Sequence, residues 1–264
     1  PVGAYLITTY GWRSTYAIFG AVILGLVTPV QGWLLRDYPE DKGLTAYGQE
    51  TQKQTVAADV GGIPYAKAVR MPMFYGIMVF AFLLVSVSTL NLFIPSYVIG
   101  MDYSLEQASF VASAVMLGVT IGKVALGMIN DRSSILGVAA TMMCGIAGLG
   151  LLIAGHAGIL AVIVGGFLFG WAYAAVTVQT PMLVRAVFGN KDYAQIYSNV
   201  AIALAGAGVA SAGGWGLLAD YMSFRFVLVL GILFLAMSGV VALYALQVSR
   251  KMGGRRQAAA ADLR

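Results

Sequence analysis

The stretch Gln107–Ile129, QASFVASAVMLGVTIGKVALGMI, decides how this chain reads. It is apolar almost throughout and long enough for a helix to cross a bilayer, which takes about 20 residues. Its one charge is Lys123. A strand is excluded, because the run is long, unbroken and does not alternate with period two. Working outward, six further runs of the same kind occupy roughly 14–35, 73–97, 134–154, 158–182, 195–218 and 225–248. Residues 1–10 read as the tail of one more helix. With Pro1 in place of an initiator Met, they predict that the sequence starts inside a longer protein.

Composition supports the same class. Hydrophobic residues make up 59% of the 264, charged residues 10%, and the mean hydropathy is +0.83. Soluble domains run near 45–50% apolar and about 25% charged. A soluble enzyme and a disordered chain are therefore excluded. The 33 glycines have no three-residue period, so collagen is excluded as well. The expected fold class is an all-α membrane protein. The single cysteine, Cys144, can form neither an intrachain disulfide nor a cysteine metal site. His156 is the only histidine and sits in a short turn, a poor metal site. No metal and no cofactor is expected, and no nucleic-acid partner, since the cations lie in short loops rather than on one soluble face.

Charge placement predicts topology. Between the first two full runs lies a polar connection, Arg36 to Arg70, with Pro39, Gly43, Gly48, Gly61, Gly62 and Pro64. With that connection on the inside, only Arg13 and Arg225 of the 16 cations fall in outer segments, and only Lys123 falls within a span. The positive-inside rule then puts the long connection and the tail in the cytoplasm.

Lys123 stands alone, because all 11 acids fall in connections or the tail. A lysine near a helix centre costs roughly 2.5–3.5 kcal/mol on insertion scales, so it should face water, a partner or a ligand. Steps of three and four place Ser113, Met116, Thr120, Lys123, Gly127 and Asn130 within about 100° of arc. Such a stripe suits an aqueous anion path. The alternative is snorkelling, since Lys123 lies about 10 Å from the cytoplasmic helix end. Gly118–Lys123 mimics a phosphate loop, but the spacing is short and Val124 replaces the Ser/Thr. Gly118 and Gly122 read instead as sites of close helix approach. Tyr173, Gln179 and Asn91 are the remaining candidates, because a wide polar head within a span needs a partner. Pro95 should kink its helix. Hydroxyls such as Thr120 can also close on the carbonyl one turn back.

Five segments resemble the major facilitator superfamily: GWRSTYAIFG (11–20) with RDYPEDKGLTAYG (36–48), GKVALGMINDR (122–132), FGNKDYAQIYS (188–198) and GGWGLLADYMSFRFVLVLG (213–231). The closest flavour is the oxalate/formate antiporter and monocarboxylate transporter branch. The resemblance implies an MFS-type helical bundle. Residues 1–35 would be the end of helix five and helix six, 36–72 the central loop, 73–249 the C-terminal six-helix bundle, and 250–264 a tail. The missing N-terminal half is an implied partner, as is the lipid bilayer, here a bacterial inner membrane.

The branch usually carries an arginine in helix eight, four residues before a glycine, that holds the substrate carboxylate. Lys123 before Gly127 matches that place, and an ammonium pairs with a carboxylate without forking onto both oxygens. Val119 stands where some members carry an acid for proton coupling. No cation lies between Lys191 and Arg225, where oxalate-type members place a lysine. Gly127, Asp131 and Arg132 resemble a half-motif that latches one transport state. The implied function is secondary transport of small carboxylates, not catalysis, with Lys123, Thr120, Tyr173, Gln179 and Asn91 as substrate contacts. A neutral cargo (drug, sugar or nucleoside) and a non-transporting membrane sensor are the alternatives.

Overall fold

The computed structural model describes residues 2–34, 62–155 and 158–261. His156 and most of the long polar connection lie outside the described residues. The chain forms two compact units, residues 1–59 and 60–264. Among the described residues, seven helices are long and apolar enough to cross a membrane.

In the first unit, α1 (Val2–Val22) is interrupted at Gly11, whose φ of 78° and ψ of 160° are not helical. A residue without a Cβ reaches that conformation at little cost. The break falls where the sequence changes from the tail of one apolar run to the start of the next. A π turn at Ile23–Val27 leads into α2 (Thr28–Leu34), and Thr28 Oγ1 donates to the Ile23 carbonyl at 2.9 Å.

The second unit begins with a short turn of helix, α3 (Tyr65–Ala68), then α4 (Pro72–Ser88). A 3-10 turn, Thr89–Leu92, separates α4 from α5 (Ile94–Ile99). The long helices α6 (Leu105–Arg132), α7 (Ser134–Ile153), α8 (Ile159–Phe188), α9 (Tyr193–Tyr221) and α10 (Phe224–Ala261) follow. Pro95 does not kink a continuous helix as the sequence predicts. The helix changes to 3-10 at Thr89, and Pro95 sits in the first turn of α5, where its missing N–H is not required. Pro181, by contrast, is carried inside α8.

Local chemistry sets the helix ends. Ser104 and Gln107 form a reciprocal capping box at the start of α6, with bonds of 3.2 and 2.9 Å. Ser133, the single residue between α6 and α7, accepts from the Leu136 N–H and starts the next helix.

The core lies around α8, which packs against α6, α7 and α4. Lipid tails are as apolar as leucine, so close contact and small residues must hold such helices together. Gly118 lies against the Phe167 backbone, where a Cβ would run into the carbonyl oxygen. Gly170 faces the Val115 carbonyl in the same way, and Gly148 and Gly165 bring α7 against the next face of α8. Phe80, Ile77, Leu84, Phe169 and Leu183 are fully buried between these seams. The end of the polar connection is folded onto the α8–α9 turn. Ile63 N–H donates to the Phe188 carbonyl at 2.7 Å, and Tyr65 N–H donates to Asp192 Oδ2 at 2.7 Å.

Candidate functional site

The site is built on the α6–α8 seam. Val111 and Val115 meet Gly166, Val115 meets Gly170, Gly122 meets Ala174, and Asn130 meets Gln179. Contacts therefore advance together along both chains, and the two helices run parallel. The seam-facing residues of α6 are Val115, Gly118 and Gly122. Viewed from the N-terminal ends, Lys123 lies about a quarter-turn clockwise from that line at 100° per residue. On α8 the seam faces are Gly166, Gly170 and Ala174, and Tyr173 lies about a quarter-turn anticlockwise from them. Because the helices face each other, these opposite rotations lead to the same side of the seam. Lys123 and Tyr173 lie on one side of the seam, and Trp171 and Ile121 lie on the other.

Lys123 is exposed and Tyr173 half-buried. Among the described residues, no hydrogen bond or ion pair engages the Lys123 ammonium or the Tyr173 hydroxyl. Thr120 is exposed on the Lys123 stripe, but its hydroxyl donates to the Met116 carbonyl at 3.0 Å. Ser113 likewise donates to Ser109 at 2.9 Å, and Thr177 to Ala174 at 3.1 Å. Those hydroxyl protons are committed to the backbone. The donors left for an anion on that side of the seam are the ammonium and the phenol.

Asn130 departs from the stripe that the spacing predicts, and Gln179 from the predicted substrate contacts. Asn130 is buried at 5% exposure, and its Nδ2 donates to the Leu126 carbonyl and to Gln179 Oε1, both at 2.8 Å. Gln179 is fully buried with its Oε1 on the Asn130 amide, so it serves helix packing. Asn130 is covered where α6 turns into α7, because Gly137 has no Cβ and lets the Asn130 amide pack against it. Asn91 is half-buried in the 3-10 turn after α4, and no described bond links it to Lys123 or Tyr173. Gly127 has open space around it, and Asp131 and Arg132 are exposed at the end of α6. No salt bridge engages either charge among the described residues.

Sequence reasoning missed a second polar cluster. Trp215 of α9 is buried, and its Nε1–H donates to the Ser86 carbonyl at 2.6 Å and to Thr89 Oγ1 at 3.0 Å. Thr89 Oγ1 also donates to Ser86 O at 2.7 Å and meets Ser211 Oγ at 3.0 Å. The cluster ties α9 to the point where α4 changes to 3-10 geometry. Beside it is an apolar cavity of about 180 Å³ lined by Phe82, Trp215, Leu218, Leu230 and Phe234. The usable signal was a tryptophan inside a run of small residues, because its N–H needs a partner when buried.

A family model described as Major Facilitator Superfamily matches residues 1–135. Among solved structures, the chain is similar to one described as the crystal structure of an auto-inhibited POT family peptide transporter. The TM-score is 0.57 at 11% identity, over 69% of this chain and 37% of that one. At that identity the likeness concerns the fold, and the chain spans little more than a third of the transporter's length. No curated protein matches the sequence.

Proposed function

Because the chain belongs to the Major Facilitator Superfamily, we propose that it forms the C-terminal part of a secondary transporter for small organic anions, monocarboxylates above all. It is a multi-pass membrane protein. The reading further assigns it to a bacterial inner membrane, with the long connection and the tail in the cytoplasm.

The observation that carries the proposal is that Lys123 and Tyr173 share one side of the α6–α8 seam. That side offers an exposed ammonium and an uncommitted phenol, with no carboxylate on α6 between Glu106 and Asp131 at its two ends and none within α8. A single lysine matches a single negative charge. A dianion would leave one charge unpaired in this half, which favours monocarboxylates over oxalate. Tyr173 adds a neutral donor that reaches the second carboxylate oxygen, a role the compact ammonium cannot fill as a forked guanidinium would.

The mechanism follows from the cost of the cation. A charged lysine exposed to hydrocarbon is unfavourable by roughly 2.5–3.5 kcal/mol. While that side opens to water, the ammonium stays hydrated. Closing the two halves of the transporter around an empty site removes that water and meets the full penalty. A bound carboxylate pairs with the ammonium, so the loaded site closes more readily than the empty one. Two six-helix halves rocking about a midplane site then carry the anion across.

The test is uptake by the full-length protein in proteoliposomes with Lys123→Gln and Lys123→Arg. The proposal expects Lys123→Gln to lower monocarboxylate uptake by at least about tenfold, the loss of one charge-assisted bond. Lys123→Arg should retain part of it. Unchanged uptake in Lys123→Gln refutes the anion role, and a cargo unaffected by competing carboxylates identifies a neutral substrate.

A further inference from the structure

A second site lies far from Lys123, at the end of the bundle where the α5–α6 and α9–α10 connections meet. A cleft of about 250 Å³ opens there between Tyr97 and Asp102 on one side and Ser223, Phe224 and Arg225 on the other. That volume equals roughly eight waters at about 30 Å³ each, the scale of a small charged headgroup. Both charges are exposed, and no salt bridge joins them among the described residues. Asp102 is the only described residue other than glycine with a positive φ, 64°. Such a conformation persists where the surroundings hold it, and it often marks a functional position. Here the surroundings are rigid. The Tyr97 hydroxyl donates to the Leu152 carbonyl at 3.1 Å, and the Tyr103 hydroxyl donates to Gly155 at 2.7 Å. The Tyr97 and Phe224 rings meet at 5.9 Å between centroids.

We propose that this cleft binds the headgroup of a zwitterionic phospholipid carrying a primary ammonium, as phosphatidylethanolamine does. Arg225 pairs with the phosphate, which guanidinium recognises through two parallel N–H bonds. Ser223 Oγ already accepts from the Phe226 N–H at 3.2 Å, so its hydroxyl proton is free to donate to the same phosphate. Asp102 accepts from the ammonium. A quaternary choline has no N–H to give it, and a glycerol headgroup offers only neutral hydroxyls, which make weaker bonds to a carboxylate than an ammonium does.

A lipid fits better than a free solute because an apolar lane starts beside the cleft. Phe226, Val229, Leu233 and Met237 are all exposed, at steps of three and four along α10. They form one strip leading from Arg225 toward the middle of the span. An acyl chain lying on that strip is continuous with a headgroup in the cleft, and a soluble zwitterion gains nothing from it.

The experiment is native mass spectrometry of the full-length protein, delipidated and titrated with phosphatidylethanolamine, phosphatidylcholine and phosphatidylglycerol. The soluble headgroup glycerophosphoethanolamine serves as competitor. Wild-type protein should retain the ethanolamine lipid at least about tenfold better than the other two. Asp102→Asn should remove that preference and Arg225→Gln should lower retention of all three lipids, each while keeping the wild-type melting curve in lipid-free detergent. Equal retention of the three lipids by wild-type protein overturns the proposal, whatever the variants do. So does a soluble headgroup that competes as well as the lipid, which marks a solute site. An Asp102→Asn variant that keeps the ethanolamine preference, or an Arg225→Gln variant that retains the lipids as wild type does, overturns it as well.

Discussion

Replacing Trp215 by Phe tests the junction between α4 and α9. The ring stays, and with it the contact with Phe234 at 5.5 Å between centroids. What goes is one N–H, shared between the Ser86 carbonyl at 2.6 Å and Thr89 Oγ1 at 3.0 Å. Ser86 O is not orphaned, because Thr89 Oγ1 still donates to it at 2.7 Å. The loss should therefore sit near that of a single membrane hydrogen bond, about 0.6–1.5 kcal/mol. Thr89→Val should cost a similar amount, since Trp215 still reaches Ser86 O. In the double variant both side-chain donors to that carbonyl are gone. Its cost should exceed the sum of the two single losses by about 1 kcal/mol. The assay is equilibrium unfolding of the full-length protein in mixed micelles, followed by far-ultraviolet circular dichroism. Additivity to within about 0.3 kcal/mol, or a Trp215→Phe variant as stable as wild type, refutes the shared-acceptor argument.

The remaining predictions concern the seams and the candidate site. Gly118→Leu drives a side chain into the Phe167 backbone, and overpacking of that kind costs about 1–3 kcal/mol or more, read as a lower melting midpoint. Gly127→Ala, with nothing near its Cβ inside a helix, should raise that midpoint slightly, by the equivalent of about 0.5–1 kcal/mol. Gln179→Leu alone leaves one N–H of the buried Asn130 amide unpaired, the other staying on the Leu126 carbonyl, and should destabilise by about 1 kcal/mol or somewhat more, whereas Asn130→Leu with Gln179→Leu should recover most of that loss. Tyr173→Phe should weaken carboxylate uptake several-fold, roughly the loss of one neutral donor, while Thr120→Val, whose hydroxyl proton is committed to Met116, should change it little.

The seven spans were legible because each is a long run whose only exit from lipid is a closed backbone. The close-approach glycines of α6, Gly118 and Gly122, were legible for equally local reasons. What the sequence could not assign was which face meets which neighbour. Tyr173, Gln179 and Trp171 are all polar-headed residues on one apolar helix. Yet Tyr173 lies on the Lys123 side of the seam, Gln179 is buried, and Trp171 lies on the opposite side. The difference arises because α8 carries small residues on two faces, one for α6 and one for α7, and no single hydrophobic stripe marks its outside. The break after Ser88 was hidden for a related reason. Pro95 drew attention to the wrong turn, whereas Trp215, far away in sequence, is what contacts the 3-10 segment.

The central claim is that the Lys123 ammonium waits, facing water, for a carboxylate. The most direct measurement is calorimetric binding of lactate and of its neutral isostere lactamide to the full-length protein in detergent. The account predicts that wild-type protein binds lactate, that it rejects lactamide, and that Lys123→Gln abolishes the difference between them. Equal affinity for the acid and the amide in wild-type protein, or an undiminished preference for lactate in Lys123→Gln, would contradict it.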